Sequence, residues 1–168
     1  MIYFQDFSIL YRVSNNGPTS QEPPTVYEIY VYSDEGCSNE IVPTYVSDSG
    51  HKPGNDGDKV FSDGSAAFDK DMNTYWRPQC EKCHINEAWI TFMTNENAGC
   101  VRAYSLGKKS SYMCFGGTCW DNGIKVELEM ADGSWGSVMT SDTENTAKGG
   151  IGIYLYYLYC LKIDKFNV

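Results

Sequence analysis

The chain has 168 residues, a formal net charge of −9 and 14% aromatic residues. This length suits one domain, the aromatic content excludes a disordered chain, and the acidic surface argues against binding to nucleic acid or anionic membranes. Seven cysteines are typical of a secreted protein of this size. We therefore expect one extracellular domain over residues 1–168.

The first apolar segment, MIYFQDFSILYRVSN, does not have the pattern of a signal peptide, because it lacks a charged start followed by a continuous apolar stretch. A secreted protein with this sequence would have lost its leader or would carry it outside these residues. The next segment, VYEIYVY at residues 26–32, is apolar on both faces. It predicts a strand that is covered on both sides, with Glu28 as its one charge.

Three further strands are predicted downstream. AWITFM at residues 88–93 is a short apolar segment, and IKVELEM at residues 124–130 alternates strictly between apolar and charged side chains before the turn at Asp132-Gly133. One face of IKVELEM would carry Ile124, Val126, Leu128 and Met130. The last segment, residues 153–163, is rich in Tyr and Leu and predicts a buried central strand.

Two long polar loops separate these strands, at residues 47–65 and 107–123. Short strands joined by turn-rich loops are typical of a β-sandwich or jelly roll. No segment is apolar over a length that could span a membrane as a helix. We therefore expect an all-β sandwich in one domain.

The segment AFDKDMNTYW places oxygen-bearing side chains at alternate positions, at Asp69, Asp71 and Asn73. Such donors suit a hard cation such as calcium. An EF-hand is excluded, because its sixth and twelfth loop positions require Gly and Glu where this chain has Thr74 and Cys80. Two interpretations remain, a cation site and an Asp/Asn-rich turn capped by its own side chains.

The same segment resembles the signature of the discoidin-like domains, also called coagulation-factor type C domains, of the galactose-binding-like superfamily. That signature is Ala-x-Asp-Gly-Asp followed by Thr-x-Trp. It is matched at Ala67, Asp69, Asp71, Thr74 and Trp76. The chain departs from it at Lys70, where Gly is usual. The segments AWI and IKVELEMADGSW are similar to later strands of the family. YRVSN and VYEIYVYSDEGC resemble the strands that flank the domain in its tandem, protist-type versions.

The resemblance implies a jelly-roll β-sandwich with a structural calcium ion. Carried over residue by residue, the ligands would be the main-chain carbonyls of Ala66 and Asp71, the side chains of Asp69 and Thr74, and Glu28. This assignment would give the lone charge of the VYEIYVY strand a partner. Lys70 is the position at which this chain departs from the family pattern, and that position can need the conformational freedom of Gly.

The sequence CEKCH, Cys80 to His84, matches the attachment motif of c-type haem. A turn between strands lacks the helix-lined pocket that haem requires, so we interpret these cysteines as structural. Cys114 and Cys119 close a small loop and could pair with each other. The partners of the other five stay open: Cys37, Cys80, Cys83, Cys100 and Cys160. An odd total leaves at least one cysteine free or bonded to another chain.

A ligand site is predicted in the loops. Tyr112 and Trp120 lie in the second polar loop, where aromatic rings could stack on a sugar, and His51, Lys52 and Arg77 are possible polar partners. In the alternative interpretation, Trp120 packs over the small cysteine loop. The other tryptophans lie in or beside strands and are predicted to be core residues: Trp76, Trp89 and Trp135.

No pattern indicates catalysis, since the chain has two histidines without a catalytic context and no Gly-x-Ser-x-Gly sequence. We expect a non-catalytic binding module for a glycan or an extracellular protein, with no catalytic residue. The alternative is a structural subunit of an extracellular filament, wall or complex. Its terminal segments, MIYFQDFSILY and IYLYYLYCLKI, or an unpaired cysteine, would then join neighbouring copies.

Overall fold

A computed structural model describes residues 8–16, 25–56, 59–80, 82–107, 124–140 and 155–162. Within them the chain forms strands and a single 3-10 turn, so the predicted all-β class is confirmed. The strands are β1 (Ile9–Asn15), β2 (Val26–Tyr32), β3 (Glu40–Ile41), β4 (Thr44–Asp48), β5 (Gly54–Asp56), β6 (Lys59–Ser62), β7 (Thr74–Trp76), β8 (Trp89–Thr94), β9 (Cys100–Gly107), β10 (Ile124–Glu129), β11 (Trp135–Thr140) and β12 (Leu155–Lys162). The 3-10 turn spans Gly64–Ala67. No helix in these residues is long and apolar enough to cross a membrane.

The strands form two sheets. The first sheet has the order β11-β10-β1-β8-β4 and is antiparallel throughout. The second has the order β12-β9-β2-β7-β6-β5, and β3 pairs with the end of β2. Within the second sheet, β6 and β7 run parallel and the other pairs are antiparallel.

The hydrophobic core draws side chains from both sheets. Trp76, Ile90 and Phe92 are at most 1% exposed, and burial of each stabilises the fold by roughly 2–3 kcal/mol. Alternation along the strands supplies the remaining inward residues. They include Tyr11, Val13, Ile29, Val31, Val101, Ala103 and Val126.

The predicted strands at residues 26–32, 88–93 and 124–130 are confirmed to within a residue or two. The polar segment at 47–65 is not one continuous loop, because β5, β6 and the first half of the 3-10 turn lie within it. These strands were missed because they are only three and four residues long. The segment at 107–123 lies outside the described residues beyond Gly107.

The structure bears on both terminal predictions. The segment at 153–163 contains β12, which among the described strands lies at the end of its sheet rather than at its centre. β1, which includes the last residues of MIYFQDFSILY, pairs with β8 on one side and β10 on the other. Both edges of this strand are therefore paired from Tyr11 onward, and residues 1–7 lie outside the described residues. The edge position of β12 stays compatible with strand addition.

Of the three tryptophans predicted as core, Trp76 is confirmed and two are placed wrongly. Trp89 and Trp135 are half-buried and are not part of the core. In the register of the sheet, Trp89 pairs with Ser14 and Trp135 pairs with Glu129. Both therefore lie on the outer face of the first sheet, opposite the face that carries Val13 and Val126.

Candidate functional site

The turn between the 3-10 turn and β7 is closed by its own side chains. One carboxylate oxygen of Asp69 accepts the N–H of Asp71 at 2.8 Å, and the other accepts the Thr74 hydroxyl at 2.7 Å. Asp71 in turn accepts the N–H and side-chain amide of Asn73, each at 2.9 Å. The self-capping interpretation of this sequence is therefore confirmed. It fixes where Asp69 points without neutralising its charge.

Lys70 occupies the left-handed region of backbone space, with φ of 62°. A side chain there costs roughly 1–2 kcal/mol relative to the ordinary conformation, and glycine avoids this cost. The position that is usually Gly in discoidin-like domains thus has the backbone conformation that favours Gly. The Lys70 ammonium offsets part of the cost through an ion pair with Glu40, at 2.8 Å.

Glu28 faces this turn from β2. It is 1% exposed, although it stands on the outer face of the second sheet. Burial, followed by the charge of Asp69 and a hydrogen bond with it, raises the pKa of the Glu28 carboxyl to about 7. The backbone N–H groups of Lys70 and Asp71 act in the opposite direction. One oxygen, Oε1, has no hydrogen-bond partner.

The arrangement fits a cation. The carboxyl groups of Glu28, which is buried, and Asp69, which is exposed, lie close together, and one oxygen of Glu28 has no hydrogen-bond partner. The Thr74 hydroxyl lies at Asp69, and Ala66 is buried in the adjoining 3-10 turn. The Asp71 carbonyl accepts the N–H and the hydroxyl of Thr74 at 3.0 and 2.9 Å.

The described residues contain no group of three or more His, Cys, Asp or Glu side chains suited to a metal ion. Only two carboxylates meet here, and the other expected donors are carbonyl and hydroxyl oxygens. Such oxygens are normal ligands of calcium. The five ligand positions that the resemblance implies lie in three segments: β2, the 3-10 turn and the Asp69–Thr74 turn. These segments pack together, since β2, the 3-10 turn and β7 are in contact.

The predicted polar partners of a ligand, His51 and Arg77, are brought close by the backbone. His51 pairs with Pro78 in an isolated bridge, and the Lys52 N–H donates to the Arg77 carbonyl at 3.2 Å. The Arg77 Nε atom is buried and has no hydrogen-bond partner. The predicted aromatic partners, Tyr112 and Trp120, lie outside the described residues, so this site is described only on one side.

Asp48 lies close to His51 and accepts hydrogen bonds from the segments around it. Its carboxylate accepts the Tyr45 hydroxyl at 2.8 Å and the N–H groups of Gly50 and Gly64, each at 2.7 Å. The His51 Nδ1 atom lies 3.9 Å away. Burial, with the hydrogen bond to Asp48 and its charge, raises the pKa of the Tyr45 hydroxyl well above its usual range. Sequence reasoning missed Asp48, because nothing in the polar loop marks it among the other acids.

The cysteines of CEKCH form a disulfide with each other, Cys80 to Cys83, and a second disulfide joins Cys37 to Cys100. The interpretation of Cys80 and Cys83 as structural is confirmed. The pair Cys114 and Cys119 lies outside the described residues. The cysteine of β12 is described only in its backbone.

A second cluster was not predicted at all. Glu127 belongs to the charged face of IKVELEM yet is 3% exposed. Its carboxylate accepts the Arg12 Nε at 2.7 Å, the Lys125 Nζ at 2.6 Å and the Ser14 hydroxyl at 3.0 Å. The Arg12 guanidinium also lies 4.4 Å above the ring centre of Trp135. This cluster ties β1, β10 and β11 together on the outer face of the first sheet.

Comparison of the chain with protein-family models, curated proteins and solved structures finds no match. The resemblance to discoidin-like domains therefore rests on the signature residues Ala67 to Trp76 and on the looser strand motifs around them.

Proposed function

We propose that this chain is a non-catalytic, extracellular binding module of the discoidin type, which recognises carbohydrate and is stabilised by a calcium ion. In this proposal the two sheets form a jelly-roll β-sandwich. The observation that carries it is the buried Glu28 carboxylate, which faces Asp69 and has one oxygen without a donor. Glu28, the one charge of its apolar strand, and the signature loop would then hold the ion together.

The residues that would hold the ion are Glu28, Asp69 and Thr74 through their side chains, and Ala66 and Asp71 through their carbonyls. When bound, calcium supplies two positive charges that make the two carboxylates compatible as anions. The protein residues fix the turn, because Asp69 holds Asp71 and Thr74 by hydrogen bonds. Recognition belongs to the neighbouring loops, with His51 and Arg77 on the described side and Tyr112 and Trp120 as the predicted aromatic partners.

Two features support an extracellular setting. The disulfides Cys37–Cys100 and Cys80–Cys83 persist in oxidising compartments. The acidic net charge of −9 suits neutral or cationic ligands.

Calcium binding is tested by thermal unfolding and calorimetric titration, with calcium compared against a chelator. A ligand at one hundred times its Kd stabilises the folded state by about 2.7 kcal/mol, which raises the Tm of a chain of this size by roughly 5–10 °C. Glu28→Gln should abolish the shift. Glu129→Gln, an exposed position on β10, is the matched control and should keep it. Equal Tm values of the native chain in calcium and in chelator would refute the ion.

Carbohydrate recognition is tested on a glycan array in the presence of calcium. Binding to a defined set of glycans, weakened at least tenfold by Arg77→Gln, is the expected result. Silence across neutral and acidic glycans would refute carbohydrate recognition.

The second candidate function is a structural subunit of an extracellular assembly. The position of β12 at the end of its sheet among the described strands favours it, as does the odd total of seven cysteines, which leaves at least one free or bonded to another chain. Size-exclusion measurements with and without reductant separate the two functions. A stable monomer under both conditions would exclude assembly through β12 or through an unpaired cysteine.

A further inference from the structure

The outer face of the second sheet carries three half-buried tyrosines near one another. Tyr30 and Tyr32 lie on β2, and Tyr104 lies on the neighbouring strand β9. Tyr30 pairs across the strands with Arg102, which is also half-buried. We call these four residues the tyrosine platform. The sequence predicts that β2 is covered on both faces, but on this face the platform stays partly open to solvent.

Contacts within the platform hold its rings in place. The rings of Tyr30 and Tyr104 meet edge to face, with centroids 5.5 Å apart. The Arg102 guanidinium lies 5.1 Å from the ring centre of Tyr32. Side chains that are already ordered lose little conformational entropy when a ligand binds, so such a surface is prepared for recognition.

The platform also carries hydrogen-bonding groups, namely the phenol hydroxyls of its three tyrosines and the guanidinium of Arg102. At its border, Lys70 and Glu40 neutralise each other in an exposed ion pair. The surface therefore combines apolar ring faces with donors and acceptors at small net charge.

We propose that the tyrosine platform binds an extended, uncharged polysaccharide, at a surface separate from the loops around His51 and Arg77. This inference rests on the proposed function, because it names the ligand class of a carbohydrate-binding module. Pyranose rings present apolar C–H faces and a rim of hydroxyls, which match ring faces flanked by polar groups.

The shape of the surface favours a polymer over a single terminal sugar. Residues two apart on a strand are separated by roughly 7 Å, and adjacent strands by about 5 Å, so the three tyrosines are spread along one open face of the sheet. Such a spread surface can contact successive sugar units, whereas a single terminal sugar is better enclosed by a pocket. The exposed large aliphatic residues of the described chain, which would favour a protein partner, lie outside β2 and β9.

The test is affinity electrophoresis through gels that contain soluble β-glucan, xylan or galactan, compared with a gel without polysaccharide. The native chain should be retarded by at least one of the three. Tyr30→Ala combined with Tyr32→Ala should weaken retardation at least tenfold, and the corresponding pair of Phe substitutions should retain most of it. Trp135→Ala is the matched control, because this ring also lies half-buried under a guanidinium but on the other sheet.

Thermal unfolding of each variant distinguishes a lost surface from a lost fold. If the double Ala variant does not fold, the double Phe variant and Arg102→Gln are compared instead. Arg102→Gln should then weaken retardation, whereas the double Phe variant should retain most of it. The proposal is overturned if no polysaccharide retards the native chain, if folded platform variants migrate as the native chain does, or if Trp135→Ala is equally impaired. Array binding without retardation would overturn this surface while the proposed function stands. If neither the glycan array nor the electrophoresis shows binding, both the platform and the proposed carbohydrate recognition are refuted.

Discussion

Two buried glutamates of this chain lie in opposite electrostatic surroundings. Glu28 faces another carboxylate, and burial together with Asp69 raises its pKa to about 7. Burial alone would also raise the pKa of Glu127, but hydrogen bonds from Arg12, Lys125 and Ser14 hold it below the ordinary value. The same residue type therefore faces a second carboxyl group at one position and is neutralised by two cations of the chain at the other.

Glu28 should make the calcium-free protein less stable as pH rises. Its pKa is about 7 when folded and 4.5 as an ordinary carboxyl, so between these values the unfolded chain has released a proton that the folded chain retains. The free energy of unfolding should then fall by roughly 1–3 kcal/mol from pH 4.5 to pH 7. Urea unfolding in chelator measures this, and Glu28→Gln should remove most of the decline. The prediction would be wrong if the free energy of unfolding of the native chain rose from pH 4.5 to pH 7 and Glu28→Gln left that rise unchanged.

Glu127 should behave in the opposite way. Its pKa is depressed, so the stabilisation that it provides is present above the ordinary carboxyl pKa and is lost as pH falls. Glu127→Gln at neutral pH leaves Arg12 and Lys125 without their shared anion and should cost about 2–3 kcal/mol in urea unfolding. Glu129→Gln, exposed on the same strand, should change stability by less than about 0.5 kcal/mol. Equal effects of the two substitutions would show that the cluster is not stabilising.

At the scale of elements, the two disulfides close loops of very different length. Cys37 and Cys100 are 63 residues apart, whereas Cys80 and Cys83 are three apart. The first crosses from the loop after β2 to the start of β9, and the second closes a turn. In the chain-entropy account, cross-linking stabilises by restricting the unfolded chain, more so for the longer loop.

Replacing Cys37 and Cys100 by Ala should therefore lower the free energy of unfolding by about 4 kcal/mol, and replacing Cys80 and Cys83 by about 2 kcal/mol. Guanidinium unfolding of the two double variants gives the comparison. A larger loss from the short-range pair would mean that local packing, not chain entropy, dominates.

Strand periodicity predicts β2, β8 and β10 because each is long enough to show a clear pattern. It misses β5 and β6, which have three and four residues, pair with each other and join the sheet through the pairing of β6 with Thr74–Trp76. Glu28 could be selected from the sequence, since one charge on an apolar strand needs a partner. Glu127 could not, because Arg12 is 115 residues away in sequence. Local patterns carry no information about which strands become neighbours.

At the scale of the whole molecule, β1 joins parts of the first sheet that would otherwise be separate. It pairs with β8 on one edge and β10 on the other. The strand covers the edges of β8 and β10 that face it. It also supplies the core residues Tyr11 and Val13 and one partner of the Arg12–Glu127 ion pair. Loss of this strand would leave two unpaired edges and an open core.

A chain that begins after Asn15 should therefore not unfold cooperatively. A synthetic peptide of residues 8–16, added in excess, should restore part of the native circular dichroism and a thermal transition. The same peptide with Val13→Asp should not, because it would bury a charge in the core. A truncated chain that melts as sharply as the native one would refute the central role of β1.

The position of β1 also has a consequence for biosynthesis. Its partners begin at Trp89 and Ile124, and Tyr11 lies opposite Leu128. A ribosome adds roughly 5–20 residues per second, so the strand waits on the order of ten seconds before its second neighbour emerges. During that interval an apolar strand with two open edges is exposed. Nascent chains of this protein should therefore depend on chaperone protection until most of the domain has been made.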